Sequence, residues 1–239
     1  MNVIPLFRNA LRRGVGNSIG LAVDRFSYYV RTGYLHTGER VCPDFPNEIF
    51  ENHLKVYKFL QQFIVGKELL EIGFGTGYGT ALLAETAKHV EAIDYSAQAL
   101  HFAQSRYKRS NIRFQQMNAE QLNFGNHTFD VALSSEVFEH LQGHETHVSE
   151  VARVLRRDGL CFIATPDPAK SKGHNEFHTK EFPPEEMRDL MLKFFSQVEI
   201  IQTMPPAGHP ATKVFGKLVD ITNLHNTHSF FAFATGTKR

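Results

Sequence analysis

The stretch that decides the fold is LLEIGFGTGYG, residues 69–79, in which an apolar run and an acid are followed by glycines at positions 73, 75, 77 and 79. The apolar run predicts a buried β-strand, and the segment TALLAETA that follows predicts a helix. Closely spaced glycines allow sharp turns and a close approach of the backbone to a ligand. A glycine loop between a strand and a helix N-terminus is typical of nucleotide-type binding sites.

The spacing of the glycines excludes two common loops. The dinucleotide pattern G-x-G-x-x-G/A would place Tyr78 or Thr80 at its last position, and neither is small enough for close helix packing. The phosphate-binding pattern G-x-x-x-x-G-K-[ST] needs a lysine that does not follow. The remaining pattern, E-x-G-x-G-x-G, resembles the first motif of class I S-adenosylmethionine (SAM) methyltransferases. The resemblance implies a SAM site that includes Glu71, Gly73, Gly75 and Gly77.

Length and composition fit one globular domain, or one domain with a lid. The chain has 239 residues, 42% hydrophobic residues and a net charge of +1, so no charge excess points to nucleic acid. Its two cysteines, Cys42 and Cys161, form no disulfide framework, which fits a cytoplasmic location. No apolar run approaches the roughly 18 residues of a membrane-spanning helix.

Strand-like and helical patterns alternate from residue 67 to about residue 200. Apolar strand candidates occupy 67–72, 89–94, 112–117, 129–135, 160–166, 196–203 and 229–235. Helical patterns occupy 79–87, 96–108, 184–194 and a segment from 136 to 141 that extends toward 156. The alternation predicts an α/β fold with a doubly wound, mostly parallel sheet. The family resemblance implies seven strands in a Rossmann-like arrangement, the last of them antiparallel.

Two domain segments are predicted. Residues 1–65 are expected to form an N-terminal helical lid, and residues 66–239 the SAM-binding domain with substrate loops at 167–184 and 204–228. Arginines and apolar residues alternate near the N-terminus, as in VIPLFRNALRR. This segment either makes a peripheral membrane contact or packs on the core with its arginines in water, and the second alternative is favoured.

Further cofactor residues are predicted after the second, third and fourth strands. Asp94 follows Gly73 by 21 residues and can accept hydrogen bonds from ribose hydroxyls, although it could instead cap the next helix. The segment MNAEQLNF, 117–124, resembles the family's D-A-x-x-L-P-F, which implies that Asn118 and Ala119 hold the adenine. Asn118 could also be a plain turn residue. Tyr95 and Ser135 are assigned to the same site.

The resemblance extends over residues 40 to 203. FDVALSSEVFEHL (129–141) and EVARVLRRDGLCFIATPDP (150–168) resemble the family's fourth and fifth strands. The second segment includes the family's L-x-P-G-G turn, written here as L-R-R-D-G. TGERVCPDFPNEIFENHLKVYKFL and NEFHTKEFPPEEM resemble a subgroup that often modifies small molecules or sugars, with the patterns T-G-E-R-x-x-P…H-L-x-x-Y and N-x-F/Y-H-x-x-E-x-x-P-E-E. A small-molecule acceptor is therefore expected, and no nucleic acid.

The segment Glu136-Val-Phe-Glu139-His140 is the best candidate for chemistry. On a helix its two carboxylates and imidazole would share an arc of about 100°. The pattern E-x-x-E-H resembles the segment that binds a divalent metal in ubiquinone-pathway O-methyltransferases, and Glu136, Glu139 and His140 suit such an ion. The alternative is a solvated helix face without metal. His178, in the first long loop, is a second candidate acid or base.

The predicted function is SAM-dependent methylation of a small molecule. A hydroxyl acceptor is favoured because base-like groups are available to remove its proton. Two alternatives stay open: a metal-dependent or otherwise non-methylating enzyme of the same fold that uses Glu136, Glu139 and His140, or a non-catalytic SAM-binding subunit. The sequence leaves the acceptor and the oligomeric state open.

Overall fold

The computed structural model describes residues 41–170, 175, 177–202, 211–220, 224 and 229–238. Residues 1–40 lie outside these ranges. They contain the basic segment for which a membrane contact is one alternative, and the larger part of the predicted lid. No helix within them combines the length and the apolar character needed to cross a bilayer.

A seven-stranded sheet forms the centre of the molecule, as predicted. Its order is β3-β2-β1-β4-β5-β9-β6, and β9 runs antiparallel to both of its neighbours, whereas the other strands are parallel. The strands are β1 (Glu68–Ile72), β2 (His89–Asp94), β3 (Ile112–Gln116), β4 (Phe129–Ser135), β5 (Leu155–Pro166), β6 (Phe195–Gln202) and β9 (Ser229–Thr237). A separate hairpin is formed by β7 (Ala211–Val214) and β8 (Lys217–Asp220).

Helices cover both faces of the sheet. They are α1 (Glu48–Ile64), α2 (Tyr78–Leu83), α3 (Ala97–Arg106), α4 (His144–Val154) and α5 (Pro184–Leu192). One face buries residues of α1, α2, α3 and the hairpin, including Phe59, Leu83 and Val219. The opposite face buries residues of α4 and α5, such as Val148 and Met187. The result is the three-layer architecture expected of a doubly wound sheet.

Two predicted boundaries are wrong. The helix expected from 136 toward 156 is a short 3₁₀ turn, Phe138–His140, followed by a separate α4. Glu136 has a φ of 52°, outside the right-handed helical region, so the two glutamates and the histidine do not share one α-helical face. β5 begins five residues before the predicted start at residue 160. Leu155 already pairs with Phe129 of β4, ahead of an irregularity in the pairing. The loop 204–228 contains the β7–β8 hairpin.

The order of the strands reverses between β1 and β4. From β1 the chain proceeds outward to β2 and β3, and then returns to β4 on the other side of β1. Parallel strands end at the same edge of a sheet, and ligands bind there beside such a reversal. The glycine loop follows β1 and Glu136 follows β4, so both lie at this point.

Candidate active site

The glycine loop turns through three glycines in left-handed backbone conformations. Gly73, Gly75 and Gly77 have φ angles of 79°, 58° and 81°, a region that other residues rarely adopt. The amide of Gly73 donates to the carbonyl of Ile93 at 2.7 Å. A Cβ at Gly73 would lie only 2.2 Å from Cγ2 of Val137. The loop therefore joins the ends of β1 and β2 and leaves no room for a side chain at its first glycine.

Glu71 places a carboxylate inside the protein at the end of β1. The side chain is 1% exposed, and its Oε1 accepts a hydrogen bond from the hydroxyl of Tyr57 at 3.0 Å. Within the described residues Oε2 lacks a well-formed hydrogen bond, although the Thr80 hydroxyl is near enough to lower the pKa of the Glu71 carboxyl. Burial outweighs these contacts and raises the pKa of Glu71 to about 7.

Asp94 ties the glycine loop to the end of β2. Its Oδ2 accepts from the amide of Gly75 at 2.9 Å, and its Oδ1 accepts from the amide of Ser96 at 2.8 Å. The cap of α3 is Ser96 itself, whose Oγ accepts from Ala99. Tyr95 follows and is 79% exposed. The structure thus gives Asp94 a loop-holding role, and its predicted contact with ribose stays a prediction.

The segment after β3 is held in place from two directions. The side-chain carbonyl of Asn118 accepts from the amide of Glu120 at 2.9 Å, which is the turn geometry of the structural alternative. The carbonyl of Ala119 accepts from Nδ1 of the buried His147 at 2.9 Å. Burial lowers the pKa of His147 to about 4, so this imidazole is neutral near neutral pH. A carbonyl oxygen has two lone pairs, so Asn118 can still accept from an adenine amino group.

Glu136 is fixed by strands that are distant in sequence. Its amide donates to the carbonyl of Ala164 in β5 at 2.9 Å, and its Oε1 accepts from Oγ of Ser229 in β9 at 2.6 Å. Burial, with the charge of Glu139, raises the pKa of Glu136 to about 8. Ser135, another predicted cofactor residue, precedes it at the end of β4 and is partly buried.

Glu139 is a second buried carboxylate next to Glu136. It is 1% exposed, and its Oε2 accepts from the Thr165 hydroxyl at 3.0 Å. Its Oε1 lies 3.8 Å from Nε2 of His140. Burial raises the pKa of Glu139 to about 7. Both carboxyl groups can therefore hold a proton near neutral pH, because neither negative charge is well solvated.

The two candidate histidines differ in what their ring nitrogens contact. Nδ1 of His140 lies 3.0 Å from the carbonyl oxygen of Phe177, which can only accept, so Nδ1 carries the proton and the Nε2 lone pair is available. His178 contacts Glu181 through Nδ1 at 2.6 Å and Nδ2 of Asn175 through Nε2 at 2.8 Å. Hence both ring nitrogens of His178 are engaged, whereas Nε2 of His140 has the Glu139 carboxylate 3.8 Å away.

The structure brings all four predicted catalytic residues into one cluster. A proton on either His140 or His178 would lower the pKa of Glu136, opposing its burial, and the two imidazole rings are 5.0 Å apart between centroids. One ligand atom each from Glu139, His140 and His178 fits within 4.8 Å, a spacing that could hold a metal ion. The predicted metal set contained Glu136, whereas this group has His178 in its place.

Several residues that support the site were missed by sequence reasoning. Thr165 and Ser229 are small polar residues in apolar strands, and Ser229 lies 93 positions from the carboxylate it contacts. No local pattern marks either one. Asn175 and Glu181 could have been found, because they are the first and last polar residues of the pattern N-x-F-H-x-x-E around His178.

Comparison with known proteins relates the chain to one class of domain. Residues 70–163 match the model of the methyltransferase domain family, and the relatives that are most similar among those compared carry names of the SAM-dependent methyltransferase class. A Mycobacterium tuberculosis protein named "Probable S-adenosylmethionine-dependent methyltransferase" is 36% identical over 163 residues, covering 65% of this chain and 59% of the relative. The chain thus spans about three fifths of that relative's length.

Two more distant likenesses agree with this class. The ubiquinone biosynthesis O-methyltransferase of Rhizobium etli is 31% identical over 102 residues, covering 42% of this chain and 41% of the relative. The crystal structure of a SAM-dependent methyltransferase from Mesorhizobium loti has a TM-score of 0.58 at 14% identity, covering 78% of this chain and 98% of that one. The structural likeness shows that the fold is shared.

The residues at the end of β1 fit SAM, the methyl donor of this class. The buried Glu71 carboxylate has an oxygen without a well-formed hydrogen bond, suited to the amino group of the methionine part. The glycine loop leaves backbone exposed to a ligand, with open space where a Cβ of Gly75 would lie. Asp94 stands beside that loop with acceptor oxygens suited to ribose hydroxyls.

Proposed function

We propose that this protein transfers a methyl group from SAM to a hydroxyl of a small molecule. The observation that carries the proposal is the state of His140, whose Nδ1 is held by the Phe177 carbonyl while Nε2 keeps its lone pair. This base lies in the cluster with Glu136 and Glu139, beyond the end of β4 and next to the glycine loop. The likeness to a ubiquinone biosynthesis O-methyltransferase supports an oxygen acceptor.

Cofactor binding is assigned to the residues predicted from the sequence. Glu71 would hold the amino group, Asp94 the ribose, and Asn118 with Ala119 the adenine. The exposed Tyr95 would cover the adenine, and Ser135 would line the floor at the end of β4. The three glycines at 73, 75 and 77 would allow the backbone to approach the methionine part closely.

Bound SAM supplies a methyl group already activated by a positively charged sulfur. The protein's part is to align the acceptor and remove its proton. The acceptor oxygen would take the methyl group as the carbon–sulfur bond of the sulfonium breaks, leaving neutral S-adenosylhomocysteine, and the hydroxyl proton would pass to Nε2 of His140. The Glu139 carboxylate, 3.8 Å from Nε2, stabilises the imidazolium that results. The His140 side chain is 42% exposed, so the proton can then leave to water.

The proposal is tested by two measurements on the purified protein. Calorimetry with SAM and S-adenosylhomocysteine should show binding of both, and lack of binding by either would refute the cofactor assignment. Incubation with methyl-labelled SAM and a panel of small alcohols, phenols, amines and carboxylic acids should label a hydroxyl compound. Binding without labelling of any compound would favour a non-catalytic SAM-binding subunit, and labelling of amines alone would refute the hydroxyl acceptor.

A metal-dependent form of the reaction is the second candidate. The close grouping of ligand atoms from Glu139, His140 and His178 favours it, since carboxylate and imidazole suit divalent ions. A metal would displace one partner of His178, either Glu181 from Nδ1 or Asn175 from Nε2. Elemental analysis, followed by chelation and re-addition of Mg²⁺, Mn²⁺ or Zn²⁺, separates the two forms. Full turnover in a metal-free preparation would leave His140 acting alone.

A further inference from the structure

Helix α1 contacts the glycine loop and the strand before it through two hydrogen bonds. The Tyr57 hydroxyl donates to Oε1 of Glu71 at 3.0 Å. One turn earlier, Nδ1 of His53 lies 3.0 Å from the hydroxyl of Tyr78, the first residue of α2. Burial lowers the pKa of His53 to about 4, so this contact involves a neutral imidazole. His53 and Tyr57 are the two polar residues of the pattern H-L-x-x-Y. The proposed chemistry gives neither of them a function.

The fourth glycine of the loop makes room for Tyr57. A Cβ at Gly79 would lie 2.1 Å from Cζ of the Tyr57 ring. The Tyr57 ring is 5% exposed and meets the Tyr78 ring edge-on, with 5.7 Å between centroids. Unlike the three glycines before it, Gly79 lies within α2 with an ordinary helical backbone. Its lack of a side chain therefore serves the packing of α1.

The two tyrosines are near enough to two buried carboxylates, Glu71 and Glu136, to feel the charge of both. Burial raises the pKa of both phenols, and the charges of Glu71 and Glu136 raise it further. Glu71 ends the strand that carries the cofactor loop, and Glu136 belongs to the catalytic cluster.

We propose that Tyr57 is a positioning residue, which holds the Glu71 carboxylate so that Oε2 faces the amino group of the methionine part of SAM. This inference rests on the proposed cofactor. With Oε1 occupied by the phenol, the carboxylate is fixed in rotation, and Oε2, which lies near the Thr80 hydroxyl without a well-formed hydrogen bond, is the oxygen left for the ligand. Without the phenol, a buried carboxylate oxygen loses its partner and the side chain can turn away. In this arrangement α1 forms a wall of the cofactor site.

The test compares two ligands that differ in the methionine part. S-adenosylhomocysteine carries the amino acid, whereas 5′-methylthioadenosine has the same adenine and ribose without it. In Tyr57→Phe we expect binding of S-adenosylhomocysteine to weaken about tenfold, the loss expected for one hydrogen bond to a charged group, and binding of 5′-methylthioadenosine to be unchanged. Tyr107→Phe is the matched control, since Tyr107, the residue after α3, packs near Gly77, and among the described contacts none joins it to Glu71.

Each outcome distinguishes the inference from the proposed function. If the wild-type protein binds neither ligand, the cofactor assignment itself is wrong. If wild type binds both and Tyr57→Phe binds both equally well, or loses both equally, Tyr57 does not act on the methionine part. If Tyr57→Phe does not fold, hydrogen exchange on the wild-type protein tests the inference instead. Hydrogen exchange of α1 amides should slow with S-adenosylhomocysteine more than with 5′-methylthioadenosine at equal saturation, and equal protection would overturn the inference.

Discussion

Val137 packs against the backbone of Gly73 so closely that a methyl group on Gly73 would lie 2.2 Å from its Cγ2 atom. Val137 stands between Glu136 and the turn Phe138–His140. The proposed cofactor loop and the proposed catalytic segment are therefore in direct contact through one side chain. A change on either side of this contact should move groups on the other side.

The first prediction concerns this contact. Gly73→Ala should lower the free energy of unfolding by about 2–4 kcal/mol, from the positive φ and from the clash with Val137. Gly75→Ala is the matched control, because its φ is also positive but no atom lies within 4 Å of its Cβ position. It should cost only about 1 kcal/mol. Denaturant unfolding measures both.

The clash and the strain can be separated in a double variant. Adding Val137→Ala to Gly73→Ala should recover the part of the lost unfolding free energy that is due to the clash, and leave the part that is due to the positive φ. The same addition to Gly75→Ala should show no coupling. Equal stability of the two alanine variants, with no coupling to Val137, would show that the segments do not contact each other as described.

The fold could be predicted because its signals are local. The central strands of the sheet, such as β1 and β4, are apolar runs, whereas β3 and β6 mix apolar and polar residues. The family resemblance supplied the antiparallel last strand. The error at 136–156 has a physical cause. E-x-x-E-H-L suits a helix by spacing, but the Glu136 amide instead donates to Ala164 of β5 and the residue adopts a φ of 52°. A contact with a neighbouring strand outweighed the local preference.

The candidate site could be predicted only in part. Glu136, Glu139 and His140 are adjacent in sequence, so their grouping needs no knowledge of the fold. The contact between Ser229 and Glu136 depends on β9 lying beside β5, which no residue near either position indicates. Similarly, the contact between Tyr57 and Glu71 follows from the packing of α1 on the glycine loop, and no pattern near Tyr57 in the sequence indicates it.

The second prediction concerns the pH dependence of stability at Glu71. Its pKa is raised from 4.5 to about 7 in the folded protein, so the folded state binds the proton more tightly than the unfolded state. The stability this group contributes is present below the unfolded pKa and is lost as the pH rises through about 7. Glu71→Gln removes the charge, and should stabilise the ligand-free protein by roughly 1–3 kcal/mol above about pH 8 and little near about pH 5.

The control for Glu71→Gln is Glu85→Gln, which removes an exposed glutamate that pairs with Arg109 at the surface. Unfolding is followed for both variants and wild type across the pH range without ligand. The Glu71 variant should also bind S-adenosylhomocysteine more weakly, which would be a gain in stability at a cost in function. A stability difference independent of pH would mean that Glu71 is not the buried titrating group described.

The third prediction tests Asp94 against the ribose. If its carboxylate accepts from a ribose hydroxyl, wild type should bind 5′-methylthioadenosine better than its 2′-deoxy form, and Asp94→Ala should abolish most of that preference. The total loss of affinity in Asp94→Ala should be about 1–3 kcal/mol. Calorimetry with the two ligands measures the preference directly.

The control for Asp94 is Ser96→Ala, which removes the cap of α3. It should lower stability by about 1 kcal/mol and leave the preference for the 2′-hydroxyl intact. Because Asp94 also holds the amides of Gly75 and Ser96, some affinity could be lost through the loop alone. An undiminished 2′-hydroxyl preference in Asp94→Ala would identify that loop-holding role as its only one.

The last prediction separates the two histidines of the cluster. Once an acceptor has been identified, His140→Ala should lower kcat by about 100-fold or more, which is the usual contribution of a general base. The same variant should bind S-adenosylhomocysteine as tightly as wild type. His178→Ala should lower kcat less, because both of its ring nitrogens already contact Glu181 and Asn175. His89→Ala, at the opposite edge of the sheet, is the control for loss of an imidazole. A larger loss in His178→Ala than in His140→Ala would reverse the assignment of the base.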